Sequence, residues 1–387
     1  MVFAARPRDP ETLRLLVDAV ARMVDNVLIP AEAQAEAEQA IPEPIVRQLR
    51  EFGLFGMAVP ESYGGLELAM GDEVQVMFEF CRASPVYRSL IGTTNGVGGK
   101  SIVLRGSDQQ RSRYLPKIAR GDTIVSFCLT EPEAGSDARS LRTRAERDGD
   151  EYVINGSKRF ISNAPEAGLF VVMARTDPTD TSSRAISAFL VEAGTPGLEV
   201  GPPINKMGHR AAHVADVTLD NCRVPASSLL GAEEGVGFRT AMEVLDHGRV
   251  HIAAVAVGLA RRFIDEALQY AQNRRQFGQA IGDFQLIQGM LADSEAEWFA
   301  AKSMVEAAAT LLDAGQRITK QAASCKYFAT EAMWRIADRA VQIHGGYGYV
   351  SDYPVERLFR DARLLRIYEG TSQIQQLVIA REMLKGN

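Results

Sequence analysis

The sequence predicts a mostly α-helical protein with a central β-domain, in the order helical, β, helical. Three observations carry this. Apolar residues recur at spacings of three and four through the first third of the chain. Short strand-like runs bounded by turn residues fill residues 125–230. Beyond residue 236 the helical period returns in long, Ala-rich runs. The 387 residues allow two or three domains at about 100–200 residues each. The expected division is an N-terminal helical domain at 1–124, a small β-barrel or sandwich at 125–235, and a C-terminal four-helix bundle at 236–387.

In the first third the periodic positions are Leu13, Leu16, Val17 and Val20, then Ile45, Val46, Leu49 and Phe52. Breaks at Pro60, Gly64 and Gly65 separate these from helices near 72–83 and 96–105. The middle runs are TIVSFCL, EYVING, RFISNA, LFVVMAR, AISAFLV and DVTLD, with Asn155-Gly156 and Pro196-Gly197 among their turns. Many short strands at short intervals predict a barrel or sandwich. The runs 237–272, 284–313, 317–345 and 371–384 have few internal turns, as antiparallel bundle helices do.

Composition narrows the function. A net charge of -6 without a basic stripe argues against a nucleic-acid partner. No stretch reaches 18 uninterrupted apolar residues, so no membrane span is expected. MVFAARPRDPETLRLL lacks the apolar centre of a secretory signal, so the expected location is cytoplasmic. Cys81, Cys128, Cys222 and Cys325 are widely spaced, which predicts buried thiols in a reducing compartment rather than a metal or disulfide framework.

Two motifs mislead. Residues 94–101, TNGVGGKS, have Thr94 where a phosphate-binding loop needs glycine. Residues 345–350, GGYGYV, lack the last glycine of a dinucleotide fingerprint and do not follow a strand. His247 and His251 share a helical face, but no third ligand stands nearby, so no metal is expected.

Four segments carry more. Phe127 to Asp137, FCLTEPEAGSD, places Gly135, Ser136 and Asp137 just after a strand, which offers backbone N–H groups and a hydroxyl to a ligand or makes an ordinary turn. Gly156 to Asn163 sets Phe160 beside Ser162, as the wall of a planar group or as a hairpin strand. Arg274, Arg275 and Phe277 stand at a helix break, which suits a pyrophosphate or a solvated end. In residues 342–374, Gly345, Gly346 and Gly348 interrupt a helix, each costing about 1 kcal/mol against alanine. Glu369 follows an apolar stretch and precedes Gly370-Thr371-Ser372, either as a desolvated base or as an acid favouring a helix N-terminus.

Together, FCLTEPEAGSD, QIHGGYGYVSDYPVERLFRD and IYEGTSQIQ resemble, in this order, the signatures of the acyl-CoA dehydrogenases, and the likeness runs from about residue 10 to 384. The resemblance implies FAD between the β-domain and the bundle, a homotetramer, and reoxidation by an electron-transfer flavoprotein. By position it implies flavin contacts from Phe127, Leu129, Thr130, Phe160 and Ser162, with Phe160 standing where many members have tryptophan. Arg274 and Phe277 resemble a pair supplied across a dimer interface. Gln342, Gly346, Thr371 and Gln373 resemble further FAD contacts. Ser136, Asp246 and Arg249 are similar to residues that meet the pantetheine arm, and Tyr368 and Gly370 flank the base on the substrate side.

Glu369 matches the family's catalytic glutamate, which removes the α-proton while the β-hydrogen leaves as hydride to flavin N5. Some members carry their catalytic acid at the position of Gly248, which has no side chain to serve. Arg88 falls where glutaryl-CoA dehydrogenases bind a distal carboxylate, although Cys81 replaces the acidic partner those enzymes use. The resemblance thus leaves three substrate classes: unsubstituted acyl chains of medium or longer length, with Ser89 and Thr93 at the pocket floor; dicarboxylyl-CoA; or an acyl-carrier-protein thioester.

Overall fold

Apolar patterning decides which elements form and how they layer. In the computed structural model, which describes residues 7–177 and 179–385, the chain opens with seven helices: α1 (Pro10–Met23), α2 (Ile29–Glu38), α3 (Glu43–Glu51), α4 (Met70–Phe80), α5 (Pro85–Thr93), α6 (Gly99–Arg105) and α7 (Asp108–Ala119). Residues 1–6 and 386–387, at the ends of the expected outer domains and including the start of the N-terminal stretch read for a signal, lie outside the described residues.

The strands follow: β1 (Ile124–Cys128), β2 (Arg144–Asp148), β3 (Glu151–Ser162), β4 (Ala167–Arg175), β5 (Ile186–Glu192), β6 (Leu198–Val200) and β7 (Val214–Pro225). They form one seven-stranded sheet in the order β1-β4-β2-β3-β7-β6, with β5 also on β4. The expected barrel or sandwich is therefore a single curled sheet. Its β1 runs parallel to β4, and Ser126 Oγ donates to Ser162 O at 2.7 Å, so β1 also meets the end of β3. The continuously apolar β4 is buried on both faces, as such runs are. Phe170, Val172 and Ala174 join one core with Tyr152, Ile154 and Phe189, while Leu169, Val171 and Met173 join another with Ile102, Leu115 and Ile118.

The remaining helices are α8 (Gly237–Asn273), α9 (Gln285–Asp313), α10 (Thr319–His344), α11 (Val355–Ala362) and α12 (Ser372–Leu384), with a two-residue-strand hairpin β8 (Arg275–Gln276) and β9 (Gln279–Ala280) between α8 and α9. The short α11 was not foreseen. Residues 250–260 of α8 are all buried, as expected of a helix apolar all round at the centre of a bundle. Gly258 permits this: a Cβ there would lie 2.7 Å from Phe78 O on α4. The N-terminal helices and the bundle thereby share one core. All four cysteines are buried and free, and burial pushes the Cys81, Cys128 and Cys325 thiols up to about 12.

Two polar clusters are enclosed. In the β-domain, Lys158 Nζ meets Glu131 Oε1 at 2.8 Å and donates to Met173 O at 2.7 Å. Glu131 also accepts from the N–H groups of Arg142 and Thr143 at 2.6 and 2.9 Å. Burial alone would raise the Glu131 carboxyl, but the Lys158 charge and these donors hold it below its ordinary value. This pair pins the turn that carries Thr130 and Ser136.

The second cluster ties the β-domain to the bundle. Asp361 Oδ1 accepts from His209 N–H at 2.6 Å, and Ser84 Oγ donates to Oδ2 at 3.0 Å. His209 Nε2 lies 3.0 Å from Asp361 O, which can only accept, so Nε2 carries the proton. His209 Nδ1 then accepts from Ser89 Oγ at 3.1 Å. Burial lowers His209 to about 4.

Two outcomes are expected. Lys158→Met leaves Glu131 buried without its cation and lowers unfolding stability by about 3–5 kcal/mol in urea titrations, part of which Glu131→Leu recovers in the double variant. His209 binds its proton more weakly folded than unfolded, so the unfolded chain holds more protons between pH ~6.5 and ~4. Stability therefore falls as pH drops through that window, by about 2 kcal/mol from pH 7 to 5 for this residue, and His209→Gln removes that share of the slope.

Candidate active site

Where the sheet meets the bundle, the chain leaves a cavity of about 710 Å³. Its walls come from all three parts of the fold: Arg88, Ser89 and Thr93 on α5, Phe127, Leu129 and Thr130 at the end of β1, Phe160 and Ser162 on β3, Arg249 on α8, and Tyr368, Glu369 and Gly370 before α12.

Local structure explains each wall. The pairing of β3 with β7 slips between Lys158 and Ile161. In this bulge Phe160 adopts φ +59°, its N–H donates to Asp216 Oδ1 at 3.2 Å, and its ring stands 57% exposed at the cavity. Thr130 O accepts from Arg159 N–H at 2.9 Å, which ties the end of β1 to the same bulge. Ser136 lies in the exposed turn that the Glu131–Lys158 pair anchors and also lines the cavity.

Glu369 has φ +53° and Gly370 +89°, a left-handed turn ahead of α12, whose first N–H groups are capped by Thr371 Oγ1 accepting from Ile374 at 3.2 Å. The Glu369 side chain is 16% exposed, and its Oε2 is buried without a hydrogen-bond partner. That oxygen rests on Gly248 of α8, where any Cβ would overlap it. Glycine at 248 therefore does more than forgo a catalytic side chain there: it makes the space that Glu369 fills. Arg88 Nη2 stands 4.0 Å from Glu369 Oε1, and Arg88 Nε and Tyr368 Oη are buried without partners. Burial raises the Tyr368 phenol well above its ordinary range.

Not every expected residue comes to the cavity. Asp246 stands behind Arg249, accepting from its Nη1 at 2.6 Å and from Thr319 Oγ1 at 2.7 Å. Thr371 is spent on its cap, and Gln373 is exposed. Arg274, Phe277, Gln342 and Gly346 do not line the cavity within one chain. Phe277, on the β8–β9 hairpin, is 94% exposed, and Arg274 lies over the Tyr347 ring at 5.5 Å. Residues the sequence reading passed over complete the walls: Lys206, His209, Phe238, Met242 and Arg381. His209 and Arg381 had a weak signal, being polar residues inside otherwise apolar or turn-flanked runs. Among the described residues, no three or more His, Cys, Asp or Glu side chains group as metal ligands, and His251 instead bonds Glu73 at 2.5 Å. No described helix is long and apolar enough to cross a membrane.

Comparison with known proteins agrees along the whole chain. Residues 10–122, 126–222 and 235–384 match the N-terminal, middle and C-terminal domain models of acyl-CoA dehydrogenase. The chain is 40% identical over 371 residues to the 3-(aryl)acrylate reductase of Clostridium sporogenes, covering 96% of this chain and 98% of that one. It is 41% identical over 352 residues to a caffeyl-CoA reductase–Etf complex subunit of Acetobacterium woodii, covering 91% and 92%. Its structure is similar to butyryl-CoA dehydrogenase of Megasphaera elsdenii with a TM-score of 0.93, at 32% identity over 98% of this chain and 100% of that one. With three domain models in order and relatives of this identity over nearly its full length, the chain belongs to the acyl-CoA dehydrogenase family of oxidoreductases.

Proposed function

We propose that this protein interconverts an acyl-CoA thioester and its trans-2-enoyl-CoA, with Glu369 as the base that takes the α-proton. The observation that carries this reading is the carboxylate of Glu369 at the cavity, with one oxygen unpartnered. A carboxylate so placed has its acceptor capacity free for a substrate proton. The Glu369 backbone N–H has no acceptor among the described residues, so it is available to a thioester carbonyl, where it would stabilise the enolate charge.

The walls fit FAD. Phe127, Leu129 and Phe160 offer apolar and aromatic faces to the cavity. The Thr130 and Ser162 hydroxyls beside them make no hydrogen bond among the described residues, and Arg139, Lys206 and Arg381 supply positive charge for phosphates. FAD supplies the hydride acceptor for the β-hydrogen. Arg249, Ser136 and Tyr368 orient the thioester arm, and the apolar side chains of Phe238 and Met242 exclude water from the reacting carbons. The two hydrogens of the saturated chain are thus accounted for: the α-proton goes to Glu369 and the β-hydrogen leaves as hydride.

Several relatives are named reductases, and Glu369 protonating the α-carbon is the same step reversed. An electron-transfer flavoprotein as electron partner is supported by the Etf complex to which one relative belongs. Arg274, Phe277, Gln342 and Gly346 would reach a cofactor only from a second subunit, which accords with a homotetramer. Thr371 and Gln373 stand near enough to the Glu369 turn in sequence to extend that contact.

A second substrate reading rests on Arg88. It is buried, its Nε has no hydrogen-bond partner, Cys81 lies near it, and its carboxylate neighbour among the described residues is Glu369 at 4.0 Å, the residue read here as the base. A distal carboxylate on the acyl chain would give Arg88 a closer anion and leave Glu369 free for the α-proton.

The test is the anaerobic spectrum of the yellow protein with a panel of mono- and dicarboxylyl-CoA thioesters. Bleaching of the flavin band by one class is expected. Glu369→Gln should retain flavin and slow bleaching by at least 10³-fold; bleaching near the wild-type rate would remove Glu369 from the role of base. For Arg88, the ratio of kcat/KM for a dicarboxylyl-CoA to that for its monocarboxylyl analogue should fall at least tenfold in Arg88→Ala. An unchanged ratio sinks the dicarboxylyl reading.

A further inference from the structure

Glu369 is held in a left-handed conformation that costs a non-glycine residue about 1–2 kcal/mol, so something must hold it there. The turn's own backbone does little. Tyr368 N–H donates back to Leu364 O at 3.2 Å, and Thr371 caps the helix beyond. Between those points, the carbonyls of Glu369 and Gly370 are met by side chains alone. Gln375 Nε2, on α12, donates to Glu369 O at 3.0 Å and to Gly370 O at 2.9 Å. Lys326 Nζ, on α10, donates to Gly370 O at 2.9 Å.

Both side chains are fully buried. The fit is close: a Cβ on Gly370 would lie 2.7 Å from Gln375 Nε2. Lys326 is the more telling of the two. Its ammonium has no carboxylate within 4.0 Å among the described residues, and Gly370 O is its single hydrogen-bond partner there. Burying an ammonium with so little compensation works against stability. Fold maintenance therefore does not explain a lysine at this position, whereas a charged donor on the turn beside the base does, since such hydrogen bonds are about twice as strong as neutral ones.

We propose that Lys326 and Gln375 are positioning residues, which clamp the Glu369 and Gly370 carbonyls from two helices and so keep the Glu369 carboxylate at the cavity. This rests on the reading of Glu369 as the base. The clamp also has a pH range. Burial lowers Lys326 to about 8, with Glu369 and Glu331 opposing that shift and Arg249 and Arg366 adding to it. As pH rises through that value, the charged donor becomes a weaker neutral one.

The test uses the flavin-loaded protein with Lys326→Met, Lys326→Gln and, as an independent cut of the clamp, Gln375→Met. Crystals of Lys326→Met should show the 369–370 turn out of the left-handed region and Glu369 moved from Gly248. Its kcat should fall about 10²-fold, the scale of a ~1 Å misplacement, with KM within about twofold. Lys326→Gln, which restores a neutral donor, should regain about tenfold, and the wild-type decline of kcat above pH ~8 should be absent in Lys326→Met. A turn that keeps its wild-type backbone in both Lys326→Met and Gln375→Met overturns the proposal, as does a displaced turn with wild-type kcat. Failure of wild type to bleach with any thioester counts against the dehydrogenase reading instead, because the position of Glu369 is read in the crystals without turnover.

Discussion

The site depends on one close approach: the carboxylate of Glu369 against the bare Cα of Gly248. The two residues are 121 positions apart in sequence and belong to different elements, the turn before α12 and the central helix α8. Because no side chain intervenes at 248, the carboxylate can lie against the helix at the cavity wall. Arg88 stands 4.0 Å from it, Tyr368 precedes it in the chain, and the sheet residues Phe127 and Phe160 line the same cavity. Close packing makes such a contact discrete rather than adjustable, since an interior at native density has no slack to absorb even one added carbon.

Strain is concentrated where the chemistry is proposed. Phe160, His209 and Glu369 all have positive φ, and all three line the cavity. Each is held by something outside its own segment: a bulge and Asp216 for Phe160, the Asp361 carboxylate for His209, and side chains from α10 and α12 for the Glu369 turn. A left-handed non-glycine residue persists only where its surroundings over-determine it. The rigid core formed by the N-terminal helices with α8 to α10 provides that surrounding, and the buried Lys158–Glu131 pair does the same for the sheet side of the cavity.

The helix–sheet–helix order and the long bundle helices were legible because the apolar period reports burial directly, and burial on one stripe or two faces is what distinguishes these elements. The run LFVVMAR read as a strand and is one, and only the structure shows it buried on both faces. The signature segments led to Phe127, Leu129, Thr130, Ser136, Tyr368 and Glu369, and the wider family resemblance to Phe160, Ser162, Arg249 and Arg88; all of these line one cavity. Lys326 escaped notice although it sits in the Ala-rich run AASCKYFATEA, where a charge on the inner face of a helix is itself a signal.

By itself the sequence determined the class of each element, the order of the three parts and the residue types available for proton transfer, because these follow from local period and from chemistry each side chain carries alone. The tertiary structure decided what required two distant segments at once. It closed the strands into one curled sheet rather than two, since sheet order is a matter of long-range pairing that no strand encodes singly. It turned Gly248 from a missing acid into the space for Glu369. It also separated Arg274, Phe277, Gln342 and Gly346 from the cavity within one chain, because a motif records which residues recur and not which side of a subunit they face.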